Sequence, residues 1–356
     1  MGIEHIHRLV KRSRQAPESV IELLNNTLIG TNGSLYQLLD TSTKIHLLHQ
    51  PHFIYFERNN RCIANLTICE RTVQLNGNEF HSLYLRYFAF DKIFQGGSKS
   101  SKGHSSFHHY FQQLFKSSNF NPLAPKTEKS IYWAFIDPEN LRSFAMNEKL
   151  GFQTVGAFTT TAFSRVKPSP SSRLERIQES DIPAARELIR NFYRDFNFYS
   201  EIHLFESSHF FVLKNKGEII AGIQANPVRF HIKSLAGWGG KLLVKALPYL
   251  PRIKRLIQPK EQRFLATEGL FWKEGYEQQV EELLNGVLAE TEHHLLLIWT
   301  DDQNKMLEKL PVKWGLIQRV KKDNPIHIVA KFNGFQPQEI DQIIHKKKYL
   351  SGFDMS

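Results

Sequence analysis

The sequence predicts an α/β (α+β) protein built as two tandem copies of one domain, each a mixed, mostly antiparallel sheet flanked by helices. Three observations carry that expectation. The chain has 356 residues, more than one hydrophobic core ordinarily spans. A hairpin pattern occurs twice: "HFIYFERNNRCIANL" from His52 and "HFFVLKNKGEIIAGI" from His209 both open on His-Phe and run through apolar and aromatic residues. Both then turn at a polar tip holding an Asn and resume as an apolar strand. A strand-and-corner pattern also recurs, in "IDPENLRSFAMNEKLGF" (136–152) and "IWTDDQNKMLEKLPVKWGL" (298–316), where Asn140 and Asn304 are each followed eleven residues on by a glycine, Gly151 and Gly315. The two patterns come in the same order in both halves, which marks an internal repeat.

Each half opens on a short strand, "IEHIHRLV" (3–10) or "RLERIQES" (173–180), followed by a helix. In the second half that helix is "DIPAARELIRNFYRDF", with Asp181 as N-cap and Pro183 in the first turn. The hairpin comes next, then a long apolar strand, "HSLYLRYFAFDKIF" (81–94) or "RFLATEGLFW" (263–272), and a helix, "SSFHHYFQQLFK" (105–116) or "YEQQVEELLNGVLAE" (276–290). A helix between two strands makes a crossover, so the strand entering each corner runs parallel to the long strand before it. A final extended run, "FQTVGAFTTTAF" (152–163) or "IHIVAKF" (326–332), closes each half. The Pro- and Ser-dense "VKPSPSSR" at 166–173 reads as a linker, which gives domains at 1–165 and 174–335 and a tail at 336–356. The second domain carries an insertion, 237–260, with six basic and no acidic residues set among Leu, Val and Ile. It reads either as a basic amphipathic flap over an anionic ligand, RNA or lipid head groups, or as a packed excursion with a solvated side. Pro248 and Pro251 interrupt any long helix there.

Hydrophobic residues at 41% and charged residues at 23% are ordinary for a globular protein. The net charge of +11 favours an anionic ligand or partner, such as a nucleotide-bearing cofactor, RNA or a lipid surface, although many basic proteins have none of these. No apolar run reaches the ~20 residues of a transmembrane helix, and the N-terminus lacks the apolar core of a signal peptide. Cys62 and Cys69 are seven apart in one extended run, which places them on opposite faces of a strand, too ill-disposed for a bridge. A reduced, cytoplasmic protein is expected. Metal binding is not. His108-His109 and His293-His294 are adjacent pairs that point apart on a helix, and His5 and His7 have no Cys or carboxylate cluster beside them.

Strands that part after a parallel start expose backbone groups to an extended amide-bearing ligand, and a loop feeding a helix N-terminus offers N–H groups to a pyrophosphate. The first half supplies such a loop in "QGGSKSSKGHSSF" (95–107), where Lys99 and Lys102 add charge and the glycines admit close approach. The second half has "WKEGYEQQ" in its place, with Glu274 and Glu277 beside Gly275, and two carboxylates there repel a pyrophosphate.

The order strand, glycine loop, helix, strand, Asn corner, helix, Leu-Gly-Phe resembles the GCN5-related N-acetyltransferase superfamily in a tandem two-domain arrangement. The resemblance spans nearly all of 1–335 and is strongest at 132–152, where Asn140, Ser143 and Leu150-Gly151-Phe152 fall on the family's positions. It implies an acyl-CoA-dependent N-acyltransferase, with acetyl-CoA or another acyl-CoA bound by the first half and a small amine or amino-acid-like acceptor held between the halves. The cofactor-binding residues it implies are Phe88, Ala89 and Phe90 for the pantetheine, and Ser100, Ser101, Lys102, Gly103, His104 and Ser105 for the pyrophosphate. Asn140 and Ser143 would meet the cofactor arm. The six-residue loop matches the family motif only in part.

The family's usual acid, a Tyr seven residues after the corner Asn, is Asn147 here and Pro311 in the second half, which puts the standard mechanism in doubt. Asp91 and Glu268 are the candidate bases, and each is also an ordinary strand carboxylate; Tyr110 and Tyr276 are weaker candidate acids. Two alternatives stand beside this reading. One is a tRNA-dependent aminoacyl transferase, which the charge and the 237–260 segment favour and the lack of that family's long helical-hairpin arm disfavours. The other is a non-catalytic CoA- or ligand-binding module of the same fold.

Overall fold

The computed structural model describes residues 4–7, 10–30, 34–91, 111–115, 129–205, 209–235, 254–317 and 325–355, with side chains from residue 10 onward. One continuous sheet of fourteen strands runs through both halves. In the first half, β1 (Glu4–His7), β2 (Val10–Ser13), β4 (Pro51–Arg58), β5 (Arg61–Leu75), β6 (Asn78–Phe90) and β7 (Ser130–Ile136) lie side by side. The second half repeats the order from the far edge with β9 (Leu174–Arg176), β10 (Phe210–Asn215), β11 (Glu218–Ser234), β12 (Gln262–Trp272) and β13 (Leu295–Asp301). A further strand, β3 (Leu35–Leu38), pairs with the end of β11. Both expected hairpins form. Asn59-Asn60 and Lys216-Gly217 make their tips with positive φ at both residues, a twist that matches the flanking strands.

The two parallel steps fall where the crossovers were expected, β6 beside β7 and β12 beside β13. The closing strands do not stay in their own halves. β14 (Ile326–Asn333) lies between β7 and β8 (Gln153–Ser164), and β8 pairs through 153–158 with β14 and through 158–164 with β13. Each half thus takes the last strand of the other. A sequence repeat shows that an extended run exists but not which edge it completes.

The cores sit on both faces of the sheet. The helix Glu18–Asn25 buries Val20, Ile21, Leu23 and Leu24 on one face, while Leu66, Ile68 and Leu83 meet Phe111 and Phe115 on the other. In the second half, Ala185 and Ile189 of the helix Ile182–Tyr193 and Leu283, Leu284 and Val287 of the helix Val280–Glu290 cover opposite faces. Each fully buried aliphatic side chain of this kind contributes roughly 1.5–3 kcal/mol.

Four local expectations change. The strand read at 3–10 is a hairpin of β1 and β2. Cys62 and Cys69 join the same hydrophobic cluster, because a bulge in β5 between Cys62 and Ala64 resets the alternation; both are free thiols. Asp181 does not cap its helix with its side chain but pairs with Lys214 at 2.8 Å. Residues 336–355 are part of the body. They hold a helix, Pro337–His345, with a capping box from Gln336 and Glu339, and a buried terminal stretch.

Candidate active site at the forks of the sheet

The parallel ladder between β6 and β7 lasts only from His81–Ser130 to Tyr84–Trp133, while β6 runs on to Phe90 and β7 to Ile136. The strands therefore fork. Beyond the last rung β6 carries a bulge: Tyr87 has φ +52°, the register against β5 shifts, and the Asn65 amide donates to the Tyr87 carbonyl at 2.9 Å. Phe88, Ala89 and Phe90 follow this bulge. Ala89 is in the core, and the Phe88 ring packs edge-on to Phe90 and Phe111.

The corner Asn140 stands beyond the end of β7. Its Oδ1 accepts the backbone N–H of Ser143 at 3.2 Å, so it N-caps the helix Leu141–Lys149. That helix ends in a Schellman motif, with Phe152 N–H donating to Asn147 O and Gly151 N–H to Glu148 O, and Gly151 at φ +85°. Ser100, Ser101, Lys102, Gly103, His104 and Ser105 lie outside the described residues, as do Tyr110 and most of the 237–260 insertion.

The second half has the same fork and the same bulge. Its ladder is Leu265–Leu296 and Ala266–Leu297, and Gly269, at φ +62°, occupies the bulge. Here the fork is filled. The chain beyond Lys347 runs beside Asn197 and enters between β12 and β13, where Lys348 and Tyr349 face Thr267, Glu268 and Trp299. Gly352 lies so close to β12 that a Cβ would stand 2.3 Å from the Thr267 carbonyl oxygen. At the loop after β12, Glu277 accepts the Gly275 backbone N–H at 3.3 Å, so a carboxylate of the chain holds a donor that a phosphate would need.

Arg86 and Glu268 occupy matching places, each just before its bulge, and both are buried. Glu268 accepts from the Ser351 hydroxyl, from Gln224 at 3.2 Å and from Asn226 at 3.4 Å. Burial pushes its carboxyl up to about 7, Asp354 adds to the shift, and the hydrogen bond from Ser351 and the charge of Arg71 hold it back. Asp91, the other carboxylate read from the sequence, is bound at Oδ2 by Arg61, with Nη2 at 2.6 Å and Nε at 2.7 Å. Of the Tyr candidates, Tyr276 lies in the second half, 3.5 Å from Asn215 Nδ2.

Sequence reasoning missed the residues that join the forks. Arg71 of β5 is buried, and its two terminal nitrogens bind the Asp354 carboxylate at 3.2 and 2.8 Å. Tyr84 donates to the Asp354 carbonyl at 3.2 Å, and Phe353 stacks on His203. One signal was visible: "CERTV" puts an acid and a base side by side in an otherwise apolar strand. Among the described residues, no cluster of His, Cys, Asp and Glu could hold a metal, and no helix is long and apolar enough to cross a membrane.

Two structures of N-myristoyltransferase from Saccharomyces cerevisiae with bound myristoyl-CoA superpose over almost the whole chain. One has TM-score 0.57 and 10% identity, covering 97% of this chain and 85% of that one; the other has TM-score 0.56 and 12% identity, covering 95% and 87%. The chain has the tandem acyl-CoA N-acyltransferase fold. At these identities the likeness is one of fold, and it bears out the tandem two-domain arrangement expected from the sequence. A GCN5-related N-acetyltransferase from Anabaena variabilis also matches, at TM-score 0.47 and 9% identity over 90% of this chain and 72% of that one. No protein-family model matches the sequence, and no curated protein matches it in sequence.

Proposed function

We propose that this chain is an acyl-CoA-dependent N-acyltransferase whose donor seats in the first fork and whose acceptor is a small amine or amino-acid-like compound approaching from the second half. One observation carries the reading: the first fork parts beyond a bulged strand, while its twin is filled by the chain's own terminal stretch. Phe88, Ala89 and Phe90 would offer backbone groups to the pantetheine arm, and the loop from Ser100 to Ser105 would take the pyrophosphate. Asn140 and Ser143 would meet the arm as it leaves the fork, with the Asn140 Nδ2 group offered to it while Oδ1 caps the helix. When bound, the donor supplies an activated thioester carbonyl to the acceptor amine. Acetyl-CoA is the donor expected from the sequence; a longer acyl chain is the second reading, favoured by the likeness to structures holding myristoyl-CoA.

Glu268 is the base we assign. Its carboxyl is poised near neutrality, and Ser351, to which it is hydrogen-bonded, lines the space between the halves. Release of CoA thiol from acetyl-CoA and from myristoyl-CoA, measured against a panel of amines, tests the proposal. Glu268→Gln should lower kcat by ~10²–10⁴-fold with the donor Kd unchanged. Gly103→Glu should raise the donor Kd. Full activity in both variants would remove the donor site and the base together.

A further inference from the structure

The wall of the first fork that faces the second half is polar and cationic. The Arg71 guanidinium lies 4.6 Å from the Tyr84 ring centroid and 4.7 Å from that of Trp133, the two residues of the last ladder rung. A small cavity opens against it, lined by Arg71, Trp133, Phe198, His203, Tyr349 and Asp354 among others. Three of these residues carry a buried polar atom without a hydrogen-bond partner: Arg71 Nε, His203 Nδ1 and the Tyr349 hydroxyl. Their residues are 6%, 8% and 4% exposed, so bulk water does not serve these atoms. A buried polar group without a partner costs about 1–3 kcal/mol, and three residues lining one cavity each carry such a group, which suits the cavity to a polar ligand.

The sign of that ligand follows from the charges. Arg71 and Arg86 stand against Asp354, while burial holds Glu268 toward its neutral form up to about pH 7. Burial and the two guanidinium groups keep His203 neutral. The Arg71 Nε–H and the Tyr349 O–H are donors, and a neutral imidazole adds one more polar contact. The enclosed space is on the order of one water molecule in size, so a ligand enters it by a single oxygen atom and the rest lies outside.

We propose that this cavity takes the carboxylate of an amino-acid-type acceptor, held by Arg71 Nε and the Tyr349 hydroxyl, with the amine lying toward the fork. The inference rests on the acyl-transfer reading for the fate of the amine, and it stands apart from it for the binding of the carboxylate. The test is therefore a binding experiment on the full chain without acyl-CoA. Saturation-transfer NMR would screen L-amino acids, their primary amides and the corresponding decarboxylated amines. At least one amino acid should bind, and its amide and amine should bind at least tenfold more weakly. Tyr349→Phe, which keeps the ring, should weaken that binding roughly tenfold while leaving thermal stability unchanged or raised. Equal binding of acid and amide, indifference to Tyr349→Phe, or no binding by any member of the panel would each overturn the proposal. A parallel titration with acetyl-CoA separates that failure from failure of the acyltransferase reading, since none of the residues proposed to hold the donor lines this cavity.

Discussion

Glu268 is buried in the middle of a strand, and its charge state ties stability to pH. Its carboxyl ionises near 4.5 in the unfolded chain and at about 7 in the folded one. The folded state therefore binds the extra proton between those values, and stability falls as pH rises through that window, by roughly 3 kcal/mol. Glu268→Gln keeps polar groups for Ser351, Gln224 and Asn226 and cannot ionise. Urea denaturation at pH 5 and pH 8 should show the native chain losing stability relative to Glu268→Gln by that amount. If Glu268 is the base, kcat should also rise through about pH 7, and that limb should vanish in the Gln variant.

The buried Arg71–Asp354 pair ties the first half to the terminal stretch. Asp354→Ala leaves a buried guanidinium without its anion and should cost about 3–5 kcal/mol, whereas replacing both partners by apolar residues should cost much less. A double-mutant cycle in urea measures the difference. The two were not legible as a pair, because a separation of 283 in sequence places their meeting in the fold and not in the pattern.

The corner shows how a motif can serve two ends. Asn140 caps the helix Leu141–Lys149 and Gly151 closes it, so both would be required even without a ligand. Asn140→Ala should cost about 1 kcal/mol from loss of the cap, and Asn140→Asp should cost little. Weaker acyl-CoA binding in the Asp variant, at unchanged stability, would isolate a role for the side-chain amide at the donor site. Gly315 is under a different constraint: a Cβ would stand 2.1 Å from the Ser164 carbonyl oxygen at φ +98°. The hairpins, parallel crossovers and Leu-Gly-Phe turn were legible because each is set by local chemistry. The bulges at Tyr87 and Gly269 were not, since an extra residue only shifts the phase of the alternation, and runs as apolar as 87–90 and 270–272 hide such a shift. Asp181 was misplaced because a carboxylate at a helix start serves equally as a cap or as the partner of a lysine from another element.

The molecule as a whole is a repeat whose copies have diverged in use. The exchange of β8 and β14 binds the halves into one sheet, and the terminal stretch fills the second fork while its Asp354 reaches across to Arg71 of the first half. The doubling was visible in the sequence from His-Phe hairpins and Asn corners. The fate of the second fork was visible only in part, from Glu274 and Glu277, because the segment that fills it arrives from the far end of the chain. Gly352→Val should loosen that segment, given the 2.3 Å approach to Thr267, and should lower the melting temperature without creating a second donor site. A donor seat in the first fork alone means one donor site per chain. Isothermal titration of the purified protein with acetyl-CoA and free CoA, with myristoyl-CoA in parallel, measures it directly. One site per chain for at least one acyl-CoA, weakened by Gly103→Glu, is the result expected; two sites per chain, or none for any of the three ligands, would contradict it.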